Sequence, residues 1–106
     1  MIVYRIKNKK KESPFSNLKA YDFLSIEGNS NWGPDPSLDG GFTKEQVDSF
    51  LKGDFVCAFI SMDQLYEWIN IKDLKGLNKL RFHVIEINAS KVIVGKHQVL
   101  IPSEEI

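Results

Sequence analysis

A single cysteine, Cys57, leaves this chain no intrachain disulfide, and only two histidines, His83 and His97, join it as soft or imidazole ligands. None of the three is paired at a metal-ligand spacing. The acids of "DPSLDGG", from Asp35 to Gly41, are too few and out of register for a calcium loop. No metal site is expected. Neither sign of charge is in excess: fourteen basic residues balance fourteen acidic ones, so no global field steers the chain toward nucleic acid or a membrane. The longest wholly apolar run, "FVCAFI" (Phe55 to Ile60), has six residues, far short of a membrane span. At the N-terminus the apolar residues precede the lysines, the reverse of a secretory leader. There is no Gly-rich phosphate loop, and basic and aromatic residues do not interleave as on nucleic-acid platforms. With one cysteine set in an apolar run, a reduced, cytoplasmic protein is expected.

What is present suffices for a folded domain. The 106 residues are 42% apolar and 26% charged, ordinary values for one globular unit spanning 1–106 with its own core. Met1 to Ile6 reads as a strand with Val3 and Arg5 on one face and Ile2, Tyr4 and Ile6 on the other. The lysine-rich "KNKKKESP" after it reads as a solvated loop. The segment "NLKAYDFLSI" fits a short helix or irregular chain. Residues 28–41 form a long surface loop of Gly, Asn, Pro, Asp and Ser. Loops of this length in small domains are often functional. Trp32 in its middle has two open readings, docking to a partner together with Asp35 and Asp39, or folding back as a lid on the core.

Two helix starts follow one rule. Thr43 and Ser61 are N-caps, each followed three residues later by a glutamine, Gln46 and Gln64, that completes a capping box. Val47, Phe50 and Leu51 give the buried stripe of the first helix, which Gly53 ends; Leu65, Trp68 and Ile69 line the second. "FVCAFI" between them is a buried strand, and a weaker helical turn falls over "IKDLKGLNKL". "RFHVIEI", "KVIV" and "HQVLI" complete the strands, the last stopped by Pro102. The order predicts an α+β domain, a small mixed or antiparallel sheet with two short helices.

Nucleophilic catalysis has little to stand on. Cys57 lies in an apolar strand, where a thiolate is disfavoured, and capping alone accounts for Ser61. One set of residues does point to a site: Arg5 in the first strand, Ser61 between a strand and a helix, and Gln98 at the start of the last strand. This layout resembles the ADP-ribosyltransferase superfamily in its arginine–serine–glutamate branch. "FVCAFISMDQLYEWI" looks like that family's strand, serine and helix, and "QVLIP" like its late strand ending in proline. A second likeness is to small phage and prophage proteins that open with "YR" and close with "GxxQV". The resemblance implies that Arg5 holds NAD phosphates, Ser61 supports the nicotinamide end, and Gln98 occupies the place of a glutamate that stabilises an oxocarbenium ion.

The departures matter as much. The family's serine–threonine–serine is here Phe59, Ile60, Ser61, and its two late acids are Lys96 and Gln98. An amide can hydrogen-bond a ribose hydroxyl, but it offers no negative charge. Residue by residue, plainer readings stay open: Arg5 on a solvent face or paired with Glu86 or Glu27, and Gln98 as an edge-strand polar group beside His97. The expectation is a phage-type interaction protein on an ADP-ribosyltransferase-like scaffold that binds a host protein or nucleotide-like ligand, as an anti-defence inhibitor would. The alternative is an NAD-dependent mono-ADP-ribosyltransferase or NAD-degrading toxin. In that case NAD is the cofactor, and His97, Asp35 or Asp39 supplies the missing charge.

Overall fold

A computed structural model describes residues 1–14 and 35–106. In chain order the elements are β1 (Ile2–Lys7), α1 (Pro36–Asp39), α2 (Lys44–Leu51), β2 (Phe55–Ala58), α3 (Met62–Tyr66), α4 (Ile71–Lys79), β3 (His83–Asn88), β4 (Ile93–Val94) and β5 (Val99–Pro102). The domain is α+β, and every strand pairing is antiparallel. The strands form two sheets rather than one: β1 pairs with β3, and β2–β5–β4 make the other. Among the described residues a single bridge, Tyr4 to Phe59, joins them through Tyr4 N–H to Phe59 C=O at 2.7 Å and Phe59 N–H to Tyr4 C=O at 2.8 Å.

Side-chain alternation along these strands feeds two apolar cores. Ile6 and Phe59 pack with Leu65, Ile69, Leu77 and Phe82, so α3 and α4 cover one side. Val3, Ala58, Ile87, Val99 and Ile101 form the other. Ala58, which ends β2, and the next residue, Phe59, thus serve opposite cores, which is why that run is apolar without alternation.

The expected caps form. Thr43 Oγ1 accepts from Gln46 N–H at 3.2 Å while Gln46 Oε1 accepts from Thr43 N–H at 2.8 Å. Ser61 Oγ accepts from Gln64 N–H at 3.1 Å, but the return bond from Gln64 Oε1 goes to Ile60 N–H at 2.8 Å, one residue earlier than the box predicts. Each such cap is worth about 1 kcal/mol.

Three expectations need correction. The turn over 71–80 is a nine-residue helix, giving four helices among the described residues instead of two. Asn70 starts it by accepting from Asp73 N–H at 2.8 Å, and burial of Leu77 outweighs the cost of Gly76 inside it, about 1 kcal/mol. The stripe on α2 is only partly covered: Val47 and Phe50 are half-buried and Leu51 is 72% exposed. Within the expected loop of 28–41, Pro36–Asp39 form a helical turn capped by Asp35, whose carboxylate accepts from Ser37 N–H at 2.9 Å. Trp32 and the segment "NLKAYDFLSI" lie outside the described residues.

Candidate functional site at the junction of the two sheets

In an antiparallel ladder, the N–H and C=O of alternate residues point to the same neighbour. Phe59 points both groups at Tyr4, so Cys57 points its own toward β1 as well. The next rung, Ile6 with Cys57, is not made among the described residues, and the contact between the two strands stops at Tyr4. Arg5 fills the opening: its Nη1 donates to Cys57 C=O at 2.5 Å. The guanidinium thereby satisfies a strand carbonyl that the ladder leaves exposed.

Arg5 is only 7% exposed, and its Nε has no hydrogen-bond partner among the described residues. Burial lowers its pKa from the ordinary value, opposed by the neighbouring Cys57. Burial likewise pushes the Cys57 thiol up to about 12, with Arg5 pulling it down and the charges of Asp35 and Asp39 adding to the rise. The thiol is therefore neutral at physiological pH, which excludes a thiolate nucleophile here.

Gln98 approaches the junction from the opposite side. The register that sets Ala58 against Val99 continues to place Gln98 across from Phe59, and Phe59 is itself bridged to Tyr4. Gln98 is 0% exposed, and neither Oε1 nor Nε2 has a partner among the described residues. Its backbone is held firmly. Gly95 N–H donates to Gln98 C=O at 2.9 Å, closing the β4–β5 hairpin, and Trp68 Nε1 donates to His97 C=O at 3.0 Å.

The tip of that hairpin is pinned by Asp39. Its Oδ2 accepts from Lys96 N–H at 2.6 Å and Gly41 N–H at 3.0 Å, and its Oδ1 from His97 N–H at 2.8 Å. Two glycines make room for this. A Cβ on Gly95 would lie 2.5 Å from Asp39 Oδ2 and from the Phe42 ring, and one on Gly41 would lie 2.6 Å from the Lys96 backbone nitrogen.

Along the backbone, Arg5 is next to Tyr4, Ser61 is two residues past Phe59, and the register sets Gln98 across from Phe59; alternation puts Arg5 on the face of Val3 and Gln98 on the face of Phe59. Ser61 is occupied as the cap of α3. Asp39 was expected at a partner surface; it is 5% exposed and its carboxylate is spent on three backbone amides. Asp35 is likewise engaged in capping α1. Trp68 and the two glycines escaped the sequence reading as contributors, although Gly95 between two apolar strands was a visible signal of close backbone approach. Among the described residues no cluster of His, Cys, Asp or Glu could hold a metal, and no helix is long and apolar enough to cross a membrane.

The family described as Bacteriophage T4 Y00F protein matches residues 1–106. No curated protein and no solved structure matches the chain.

Proposed function

The chain belongs to the Bacteriophage T4 Y00F protein family and is a phage protein; from that premise we propose that it works by binding, taking a nucleotide-like ligand at the junction of its two sheets. One observation carries this reading: Arg5 Nε and both polar atoms of Gln98 are buried without a partner among the described residues. Leaving a buried polar group unpaired costs about 1–3 kcal/mol, so a folded protein rarely keeps such groups without a use for them. Arg5 offers the remaining edge of its fork to a phosphate, and the Gln98 amide offers one donor and one acceptor side to ribose hydroxyls. Both side chains are covered in the ligand-free chain. Entry therefore opens the junction where the sheets share a single bridge, the least-paired seam of the described fold.

Group transfer is the weaker reading for the same site. Gln98 has no charge with which to stabilise an oxocarbenium ion, and Asp39, the buried acid of the neighbouring hairpin tip, is committed to backbone amides. Loss of one such electrostatic contact costs about a hundredfold to a thousandfold in rate. Sequestering a host nucleotide, or docking on a host protein that carries one, is the action of an anti-defence inhibitor and fits a binder of this kind.

The test is calorimetric titration of the purified protein with ADP-ribose and with NAD, with free nicotinamide followed in parallel. ADP-ribose is expected to bind and NAD to stay intact, and Arg5→Met and Gln98→Leu should each remain folded and lose binding. Nicotinamide release that disappears in Arg5→Met would make the protein a transferase or NAD hydrolase instead. Absence of binding by the wild-type chain would remove the junction as a ligand site.

A further inference from the structure

A second polar feature lies at the far end of the β1–β3 ribbon and uses none of the junction residues. There a cavity of about 350 Å³ is lined by Lys7, Asn8, Lys9, Arg81, His83 and Ile85. Every titratable group in that lining is a base, in a chain whose total charge is balanced. Lys7 stands directly across from His83 in the ladder. The same register, run two steps past the strand ends, sets Lys9 across from Arg81. Two cations opposite each other on one face, as Lys9 and Arg81 are in that register, repel one another.

The backbone holds these bases in place at a cost. Arg81 closes α4 in the left-handed conformation, φ 69°, with Arg81 N–H bonded to Asn78 C=O and Phe82 N–H to Leu77 C=O, both at 3.0 Å. That is a Schellman ending, and its left-handed position is normally glycine. An arginine there is strained, and strained non-glycine positions gather at ligand sites. On the other wall, Asn8 organises the lysine turn. Its Oδ1 accepts from Lys10 N–H and Glu12 N–H, each at 3.0 Å, and its Nδ2 donates to Glu12 Oε1 at 2.9 Å. Glu12, the acid of the lysine turn, is therefore engaged by an amide, and the described lining holds no carboxylate.

We infer that this pocket binds a phosphate group, as carried by a free nucleotide or by the end of a nucleic-acid strand. Residues bearing guanidinium, ammonium and imidazole groups line one cavity, their aliphatic stems and Ile85 forming its walls, so that their charged heads can close on an anionic group held there. The inference goes beyond the junction reading, and the two fail separately.

The probes are inorganic phosphate, AMP, and a short oligothymidylate with either a phosphate or a hydroxyl at its 5′ end. Binding is read from amide chemical-shift changes at Lys9, Arg81 and His83. Phosphate, AMP and the phosphorylated strand should shift these amides, and the hydroxyl-ended strand should bind more weakly. Tighter binding of AMP assigns the pocket to a free nucleotide; tighter binding of the phosphorylated strand assigns it to a strand end. Arg81→Gly should weaken every phosphate-bearing probe by roughly tenfold or more. Because glycine suits the left-handed position, this variant should melt no lower than wild type, so a folding failure cannot mimic lost binding. Lys7→Gln with Lys9→Gln should weaken the same probes while ADP-ribose binding at the junction, lost in Arg5→Met, persists. No shift with any probe, unchanged affinity in Arg81→Gly, or equal binding of the two strands would overturn the pocket.

Discussion

Two neighbouring places in this fold bury polar groups and treat them in opposite ways. At the hairpin tip, Asp39 directs both carboxylate oxygens at three backbone N–H groups. At the sheet junction, Arg5 uses one N–H on the Cys57 carbonyl, and Gln98 uses neither side-chain atom. Both places are equally hidden from water. Among the described residues only the first is complete. The contrast separates two states of buried polarity: a satisfied group locks a backbone turn, whereas an unsatisfied one lowers stability for as long as it lacks a partner.

The comparison can be broken most forcefully at Asp39. Asp39→Ala removes three charge-assisted hydrogen bonds and strands three amides, and should cost about 3 kcal/mol or more in denaturant unfolding. A loss below about 1 kcal/mol would mean that Trp68 and the hairpin ladder already hold the tip, and the locking role would fall. The opposite sign is expected at the junction. Gln98→Leu exchanges two unpartnered polar atoms for packing and should raise stability by about 1–2 kcal/mol. Destabilisation of similar size would show that the amide is satisfied after all.

A finer difference is alkaline. The Cys57 thiol has a folded pKa of about 12 against an ordinary 9.0, raised chiefly by burial. Below pH 9 both folded and unfolded chains keep the proton. Above it only the unfolded chain ionises, so the contribution is lost as pH rises from about 9 to about 12. Stability curves of the wild type and Cys57→Ala should therefore converge over that window. Parallel curves would mean that the thiol is open to solvent.

Local chemistry was legible where its effect is local. The Thr43 box and the Ser61 cap depend on residues three apart and form as the sequence predicts. Leu65 and Ile69 keep their helical spacing and are buried together. The helix over 71–79 was underrated because Gly76 lowers its propensity, while its support comes from burial of Leu77 among distant residues. Leu51 misled in the other direction: it has the right spacing for a buried stripe, but spacing cannot say whether a partner surface is there. Arg5 and Gln98 were singled out through a resemblance, and no pattern in the chain could have revealed their shared lack of partners.

By itself the sequence determined the α+β composition, the caps, the position of the β2 strand and the absence of any metal-ligand spacing, since each depends on residues a few positions apart. Tertiary structure decided the rest. Splitting the strands into two sheets left the Cys57 carbonyl to Arg5, folding α1 onto the hairpin spent Asp39 on distant amides, and antiparallel register set Lys7 against His83. Those pairings span long stretches of chain, and their energy depends on which groups meet after collapse, a property that no local window of residues contains.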